Sequence, residues 1–381
     1  MIKQIENQFP QSQDICYLNH AAVSPWPKCT SEAVCHFAQE NTLTGAQFYP
    51  KWLKEEKELR ENLRKLINAE SADEIALAKN TSEALSIIAY GIHWQDGDEV
   101  IISNQEFPSN RIVWESLSQF GVNLIVVDIQ VADPIRAITK HLNKKTKLVS
   151  ISSVQYADGF MLNLQELSKN CKQNDSLLCV DAIQSLGAIP FDQQLICADF
   201  IVADGHKWLM SAEGLALFYV NKRHIQTLKL NQFGWHMVED KGNYSSIEWE
   251  PAKNATRFEC GSPNMLGIHA LNASLKLILQ VGVDQIQNQL KQRIKFLIGH
   301  LQTLSNIQFI SNINDTPEVS GIVTFTIANI DSSELYQELM KQGVICANRG
   351  GGIRFSPHFY TTEQSLLKAI AILKNIIQNK T

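Results

Sequence analysis

Two short apolar runs in the middle of the chain constrain its fold more than any other feature. Leu177–Val180 and Phe200–Ala203 each have the length of a buried strand, and polar residues follow both of them. Asp181 comes directly after the first run, and Lys207 lies just past the second. Because ligands of open α/β sheets collect at the carboxyl ends of the strands, we expect both side chains at one ligand-binding edge.

The pair of Asp181 and Lys207 leaves two interpretations open. A lysine after a strand is usually a solvated surface residue, and an aspartate at a strand end is usually a turn or helix cap. The pair could instead hold pyridoxal phosphate, whose aldehyde bonds to a lysine amine and whose pyridine nitrogen is kept protonated by a carboxylate. The strings DAIQ at 181–184 and GHKW at 205–208 favour the second interpretation, because they resemble the fold-type I pyridoxal phosphate enzymes of aminotransferase class V.

Predicted strands alternate with helical patterns through the first two thirds of the chain. This alternation is typical of a mostly parallel sheet with helices on both faces, so the predicted fold class is α/β. The resemblance to class V enzymes, which include cysteine desulfurases, kynureninase and isopenicillin N epimerase, implies the seven-stranded sheet of fold type I. Besides the two central runs, the predicted strands are Ile75–Ala78, Glu99–Ile102, Leu124–Val127 and Leu148–Ile151.

Two long helical patterns, at residues 264–280 and 283–304, lead into a C-terminal unit that reads as strand, helix, strand, strand and helix. We therefore predict a large domain over residues 15–265 and a smaller α+β domain over residues 266–381, on which residues 1–14 would pack. The elements predicted in the smaller domain are Val319–Ile327, Ser332–Lys341, Val344–Cys346, Ile353–Phe355 and Thr362–Asn379.

Composition argues against several classes of function. The chain has 381 residues, 44% of them hydrophobic, and a formal net charge of -5, which gives no basic surface for nucleic acid. Its first residues are too polar for a signal peptide, and no apolar run reaches the length of a membrane span. The eight cysteines are scattered without metal-ligand spacing, so no metal site is predicted. We expect a cytoplasmic enzyme with neither a membrane nor a nucleic-acid partner.

A predicted helix N-terminus is the candidate phosphate site. Asn80 and Glu83 have the spacing of a capping box, and the free N–H groups at the start of a helix favour an anion. On its own, this motif indicates only a helix cap. The resemblance to class V enzymes implies that Thr81 and Ser82 hold the phosphate of the cofactor, together with His206.

Two further side chains are expected at the cofactor ring. Phe107 would ordinarily be a core aromatic residue, but the string EFPSN at 106–110 resembles the class V segment that stacks on the pyridine ring. Cysteine desulfurases have a histidine there and kynureninase has a phenylalanine, so we expect Phe107 to stack on the ring without relaying protons. The resemblance also implies that Gln184 hydrogen-bonds the phenolic oxygen of the cofactor.

The prediction of substrate-binding residues depends mainly on the resemblance to class V enzymes. The family uses an arginine at the position of Arg354 to bind the substrate α-carboxylate, whereas the generic alternative is a surface ion pair. Tyr156 stands where cysteine desulfurases have an asparagine, although a tyrosine at a strand end is more often a packing residue. Asn19 and His20 lie on an N-terminal loop that the family places near the substrate, although the sequence alone favours a satisfied loop histidine for His20.

The string RFECGSPN at 257–264 resembles the class V element that crosses a dimer interface. The resemblance implies that Ser262 places its hydroxyl on the phosphate of the cofactor in the partner subunit. We therefore expect a homodimer in which each active site takes residues from both chains.

The chain also departs from the cysteine desulfurase pattern. Only four residues separate Arg349 from Arg354 and none of them is cysteine, while Cys346 lies earlier, in a predicted strand. We therefore expect no persulfide-forming nucleophile. Asp204 stands where many relatives have a serine or threonine that donates to the phosphate, and a carboxylate there would repel that anion. The sequence predicts no role for Asp204.

The sequence predicts a pyridoxal phosphate enzyme that acts on a small α-amino acid, with Lys207, Asp181 and His206 as its catalytic residues. Three reactions stay open because they differ only in the fate of the substrate carbanion. Transamination is the first expectation, a carbon–sulfur lyase or cysteine desulfurase-like β-eliminase is the second, and amino-acid epimerisation is the third. The non-enzymatic alternative is a scaffold that has lost catalysis, against which the intact Lys207, Asp181, Gln184 and Arg354 argue.

Overall fold

The computed structural model describes residues 5–12, 14–313 and 320–380. Its strands are β1 (Cys16–Tyr17), β2 (Ile75–Ala78), β3 (Glu99–Ser103), β4 (Asn123–Val127), β5 (Thr146–Ser152), β6 (Leu177–Asp181), β7 (Phe200–Asp204), β8 (Ala216–Val220), β9 (Ile307–Phe309), β10 (Val323–Ile327), β11 (Val344–Ile345), β12 (Ala347–Arg349) and β13 (Gly352–Phe355). Its α-helices are α1 (Lys28–Thr44), α2 (Tyr49–Ile67), α3 (Thr81–Gly91), α4 (Ser109–Glu115), α5 (Pro134–Thr139), α6 (Leu164–Gln173), α7 (Gln193–Ile196), α8 (Lys222–Ile225), α9 (Met265–Val281), α10 (Val283–Leu301), α11 (Ser332–Lys341) and α12 (Glu363–Lys380). Short 3-10 helices cover Glu6–Gln8, Gly45–Phe48, Ala72–Glu74, Ser116–Phe120, Trp235–Met237 and Ala255–Phe258.

Seven strands form the large sheet, in the order β2-β8-β7-β6-β5-β3-β4. The neighbouring strands from β7 to β4 run parallel to one another. Strand β8 is antiparallel to both of its neighbours, β2 and β7. The prediction of an α/β fold with a mostly parallel, seven-stranded sheet is confirmed.

Strand β7 shows why helices must cover both faces of this sheet. Alternate residues of a strand point to opposite faces. Phe200 and Val202 belong to the buried core on one face, and Ile201 and Ala203 belong to the core on the other. Because the strand is apolar at every one of these positions, neither face can be left to water. Helices α2, α6 and α9 cover one face, and α3 and α4 cover the other.

The C-terminal unit has its own antiparallel sheet, in the order β12-β13-β10-β9. Helices α10, α11 and α12 contribute to its separate core. The strand predicted at 319–327 begins at Val323, and Val319 lies outside the described residues. The strand predicted at 344–346 is replaced by two short strands, β11 and β12.

The N-terminal segment joins the two units. Strand β1 pairs in parallel with β11, so that Cys16 lies opposite Val344. A few residues later, the backbone N–H of Ser24 donates to the carbonyl of His206, 2.8 Å away, beyond the end of β7. Residues 16–24 therefore cross from the C-terminal unit to the large sheet.

Helices α9 and α10 connect the two units. Helix α9 packs against α1 and α2, and its buried residues include Ile268, Leu271 and Leu275. Within the described part of the chain, no single helix is long and apolar enough to cross a membrane. Helices α9 and α10, bent at 80° to each other, reach that length and hydrophobicity only when they are taken together. The domain boundary at 265/266 stays a prediction.

Candidate active site

A cavity of about 250 Å³ lies at the carboxyl ends of β6 and β7. Parallel strands deliver side chains to this edge of the sheet, which is why residues far apart in the sequence meet there. The lining contains these residues that the sequence analysis singled out: Thr81, Ser82, Phe107, Tyr156, Asp181, Gln184, His206, Lys207 and Arg354.

Asp181 and Lys207 are two buried charged residues of the cavity lining. Asp181 is the last residue of β6, 3% exposed, and its Oδ1 accepts a hydrogen bond from the backbone N–H of Ile183 at 3.0 Å. Burial raises the pKa of Asp181, and the Ile183 N–H and the positive charge of Lys207 oppose this effect. Burial likewise lowers the pKa of Lys207, which Asp181 opposes and Arg354 reinforces. Shifted pKa values of this kind are typical of functional sites, for example where an amine must be neutral to react near pH 7.

The start of α3 forms the candidate phosphate site. Asn80 caps the helix, because its side chain accepts a hydrogen bond from the N–H of Glu83 at 2.9 Å. Thr81 is the first helical residue, and its buried Oγ1 has no hydrogen-bond partner among the described residues. The hydroxyl of Ser82 donates to that of Ser109 at 2.9 Å. The helix N-terminus and its hydroxyls can thus receive an anion.

Phe107 is not a core residue. Its side chain is 41% exposed, its ring lies edge-on to Tyr156 with centroids 5.2 Å apart, and Lys207 Nζ is 5.5 Å from the ring centroid. The ring therefore borders open space beside the lysine, where a planar cofactor could stack on it.

Gln184 is fixed by two residues that are distant in the sequence. Its Nε2 donates to the carbonyl of Ala21 at 2.9 Å, and its Oε1 accepts from Trp208 Nε1 at 2.8 Å. An amide nitrogen carries two protons, so one N–H stays available for a cofactor oxygen.

Arg354 is buried and lacks a carboxylate partner within the described residues. It is 2% exposed, its Nη1 donates to the carbonyl of Tyr156 at 2.6 Å, and its Nε has no hydrogen-bond partner there. Burial, reinforced by the charge of Arg349, lowers the pKa of Arg354 to about 10. The alternative of a surface ion pair is therefore wrong, and an anionic ligand would satisfy this guanidinium.

Asp204, which the sequence left without a role, lies beside His206. The carboxylate is 6% exposed, and its Oδ1 is 2.9 Å from His206 Nδ1, at ion-pair distance but without the alignment of a hydrogen bond. A protonated His206 would offset the negative charge of Asp204 and reduce its repulsion of a phosphate.

Three of the predicted residues do not line the cavity. His20 is fully buried; its Nδ1 contacts the carbonyl of Ser356 at 2.8 Å and its Nε2 contacts the hydroxyl of Tyr360 at 2.7 Å. Both ring nitrogens of His20 therefore already have partners. His20 is better described as a histidine with satisfied hydrogen bonds than as a substrate-binding residue. Asn19 lies beside it, in a bridge to Ser356. Ser262 is exposed and outside the cavity, and its role in a partner subunit stays a prediction.

Two charged residues of the lining are not among the site residues predicted from the sequence, where Arg349 was only the next candidate after Arg354. Arg349 and Glu213 both line the cavity and are both exposed. Arg349 ends β12 and Arg354 lies on β13, the next strand of the same hairpin. The glycine turn between the two arginines was the available signal, because a tight turn places both strands at the same edge of a sheet.

A second buried charged cluster lies outside the cavity. Arg60 donates hydrogen bonds to Glu56, to both carboxylate oxygens of Glu259 and to the carbonyl of Ile75. His236 Nδ1 lies 3.8 Å from Glu259. Although the ligand atoms of Glu56, His236 and Glu259 lie within 4.8 Å of one another, the guanidinium already forms ion pairs with both carboxylates. The cluster is a structural ion-pair network that holds the segment around Glu259 against α2.

The hydrogen-bond donors that lack partners in this cavity match the groups of pyridoxal phosphate and an amino-acid substrate. Thr81 Oγ1 and Arg354 Nε are buried donors without partners among the described residues, which matches a site for two anionic groups. Lys207 can bond covalently to an aldehyde, and Asp181 can pair with a protonated ring nitrogen.

Comparison with known proteins gives the same result. The model of the aminotransferase class V family matches residues 16–367. A probable cysteine desulfurase of Methanothermobacter thermautotrophicus is 30% identical, and the match covers 95% of this chain and 94% of the relative. A probable cysteine desulfurase of Borreliella burgdorferi is 27% identical over 99% of this chain and 94% of the relative. The uncharacterized aminotransferase YcbU of Bacillus subtilis is 29% identical over 82% of this chain and 81% of the relative.

Solved structures share the fold over nearly the whole chain. A cysteine desulfurase from Thermococcus onnurineus superposes with a TM-score of 0.88 at 22% identity, covering 99% of this chain and 98% of that one. The cystine C-S lyase C-DES, in complex with its product cysteine persulfide, also gives a TM-score of 0.88 at 22% identity, covering 97% and 99%. The match over residues 16–367, together with the placement of Asp181 and Lys207 in one cavity, shows that this chain belongs to the aminotransferase class V family of pyridoxal phosphate enzymes.

Proposed function

We propose that this protein is a carbon–sulfur lyase that eliminates sulfur from a cysteine-type amino acid without forming a persulfide on the protein. The observation that carries the proposal is the tight hairpin between Arg349 and Gly352, which turns through two glycines. The resemblance to cysteine desulfurases implies a longer, mobile loop with a catalytic cysteine at this place, and the hairpin is shorter than such a loop and contains no cysteine. The curated relatives named as cysteine desulfurases and the cystine lyase C-DES support carbon–sulfur chemistry over transamination.

The hairpin is too short to contain a mobile loop. Gly350 and Gly351 have φ values of 62° and 83°, which are typical of the tight two-residue turn that joins adjacent antiparallel strands. A side chain at Gly350 would lie 3.0 Å from the Cβ of Ala157, so the turn packs closely on the loop after β5. Cys346 is 1% exposed, and burial raises the pKa of its thiol to about 12. A buried, protonated thiol is a poor nucleophile.

Each of the main residues of the cavity would have a separate role in the proposed reaction. Bound pyridoxal phosphate would supply an electron sink for the bonds at the substrate Cα. Asp181 would hold the positive charge on the ring nitrogen, and Arg354 would bind the α-carboxylate of the substrate. Lys207, whose pKa is lowered, would take the proton from Cα as a neutral amine. Phe107 has no exchangeable proton, so proton transfer falls to Lys207 and to the other titratable groups of the lining.

Product analysis tests the proposed reaction. With cysteine or cystine as substrate, we expect pyruvate and ammonia in equal amounts and no alanine, because elimination removes both the sulfur and the amino group. Replacing Cys346 by alanine should leave this rate unchanged within about twofold, since its thiol is buried, and Lys207→Ala should abolish it. Alanine together with a persulfide-bearing peptide would identify a desulfurase instead, and a keto acid that retains its sulfur would identify an aminotransferase.

Borohydride reduction tests the covalent attachment of the cofactor. We expect the reduced cofactor on the Lys207 peptide alone, with no change in labelling in Lys222→Ala, whose lysine is exposed and paired with Glu70. The lowered pKa of Lys207 leaves more of its amine neutral at a given pH than in an exposed lysine. The rate of cofactor uptake by the cofactor-free protein should therefore rise with pH and level off below the usual lysine pKa of 10.5. A label on another lysine, or a plateau above 10.5, would contradict this assignment.

A further inference from the structure

The indole ring of Trp208 links the cofactor cavity to the C-terminal unit. Trp208 follows Lys207 directly in the sequence, yet its side chain is 1% exposed and belongs to the core of the C-terminal unit. Its ring centroid lies 5.3 Å from that of the buried His358. Its Nε1 donates to Oε1 of Gln184 at 2.8 Å, and Gln184 lines the cavity. Trp208 therefore contacts both the C-terminal unit and a residue of the site.

The neighbours of Gln184 determine how its amide is oriented. An indole N–H can only donate and a carbonyl can only accept, so Oε1 must face Trp208 and Nε2 must face the carbonyl of Ala21, 2.9 Å away. Half a turn of the amide would place N–H against N–H and oxygen against oxygen, and Gln184 is only 3% exposed, so water could not replace the lost hydrogen bonds. Ala21 uses one of the two amide protons, and the second remains for a ligand in the cavity.

Gly321 of the C-terminal unit provides the space that the indole ring occupies. It lies just before β10, and a side-chain carbon there would be 2.2 Å from Cη2 of Trp208 and 2.7 Å from Cζ3. The φ of Gly321 is outside the left-handed region, so alanine at this position would disturb the ring rather than the backbone. The C-terminal unit therefore limits where the ring and its N–H can lie.

We propose that Trp208, held by the C-terminal unit at Gly321, is a positioning residue that keeps Gln184 oriented as a hydrogen-bond donor to the phenolic oxygen of bound pyridoxal phosphate. A donor stabilises negative charge on that oxygen, and this charge is greatest when the proton shared with the Lys207 nitrogen is lost. Trp208 thus lowers, through Gln184, the pKa of the Lys207 nitrogen in the cofactor-loaded protein. This role requires a bound cofactor but no substrate, so it is independent of the proposed reaction.

The visible absorbance of the bound cofactor, titrated with pH, measures this pKa without substrate or turnover. Gln184→Met removes the donor at a similar volume and should raise the pKa by about one pH unit. Trp208→Phe keeps an aromatic ring but loses the N–H, so the Gln184 amide can turn, and the pKa should rise by at least half as much. In the double variant the two shifts should not add, because Trp208 acts only through Gln184.

The other titratable groups near this pair are the same in all these variants. Those that line the cavity are Tyr156, Asp181, Asp204, His206, Glu213, Arg349 and Arg354. Beside the indole ring, burial lowers the pKa of His20 to about 4 and that of His358 well below its usual value, so both stay neutral during the titration. A shift that is shared by Gln184→Met and Trp208→Phe therefore reports the orientation of the Gln184 amide.

Gly321→Ala tests whether the C-terminal unit holds the ring. The added methyl group should displace the indole and raise the pKa in the same direction as Trp208→Phe. Gly299→Ala is the matched control and should keep the wild-type pKa, because Gly299 lies in α10 and, outside its own stretch of helix, nothing is within 4 Å of an added side-chain carbon. A wild-type pKa in Gln184→Met or Trp208→Phe, or shifts that add in the double variant, would overturn the proposed role of Trp208. A wild-type pKa in Gly321→Ala would overturn the part assigned to the C-terminal unit.

Discussion

Replacement of Asp181 by asparagine is expected to lower kcat by about 10²- to 10³-fold while pyridoxal phosphate stays bound to Lys207. Asparagine keeps the size of the side chain and an oxygen that can accept from the Ile183 N–H. It removes the negative charge that, in this buried position, would stabilise a protonated ring nitrogen. The effect should therefore appear in turnover and only weakly in cofactor retention.

The measurement compares kcat for the best amino acid found with the absorbance of the bound cofactor in the same preparation. Asp192→Asn is the matched control. Asp192 caps α7 outside the cavity, and asparagine caps a helix about as well, so this variant should keep the wild-type kcat. A wild-type kcat in Asp181→Asn would remove the carboxylate from its assigned role.

Replacement of Arg60 by methionine is expected to destabilise the protein by about 3–5 kcal/mol. Arg60 is 8% exposed and compensates the buried Glu56 and Glu259. Burial by itself would lower the pKa of this guanidinium, but the two carboxylates together raise it. Methionine fills a similar volume yet leaves two buried carboxylates without the cation that is hydrogen-bonded to both of them.

Urea unfolding at a fixed cofactor concentration measures this loss. The control is Arg64→Met on the same helix, whose pairing with the partly exposed Glu61 should be worth less than about 1 kcal/mol. Adding Glu259→Gln to Arg60→Met should recover part of the stability, since it removes one of the uncompensated charges. Equal losses in the two single variants would show that the buried network contributes no more than a surface pair.

The sequence predicted those parts of the site that depend on local patterns. Apolar runs ending in a polar residue located β6 and β7, and parallel strands necessarily brought Asp181 and Lys207 to one edge. The capping pattern at Asn80 likewise located the start of α3 and, with it, Thr81.

The parts that were missed depend on contacts between distant segments. His20 looked like a loop residue, but Ser356 and Tyr360, which occupy its ring nitrogens, come more than 300 residues later. Arg349 reached the cavity only through the fold of the C-terminal hairpin. No local pattern reports such pairings, because they depend on how the C-terminal unit sits on the large sheet.

The crossing segment at residues 16–24 limits how far the active site can open. Its hydrogen bonds at Leu18, to the C-terminal unit, and at Ser24, to His206, leave a short span between two anchors. Six residues of fully extended chain reach only about 20 Å, so the wall carrying Arg354 and the wall carrying Lys207 are tethered beside the cavity. Inserting a few residues into this crossing segment would let the two walls of the active site move further apart. It would not alter any group that contacts the substrate.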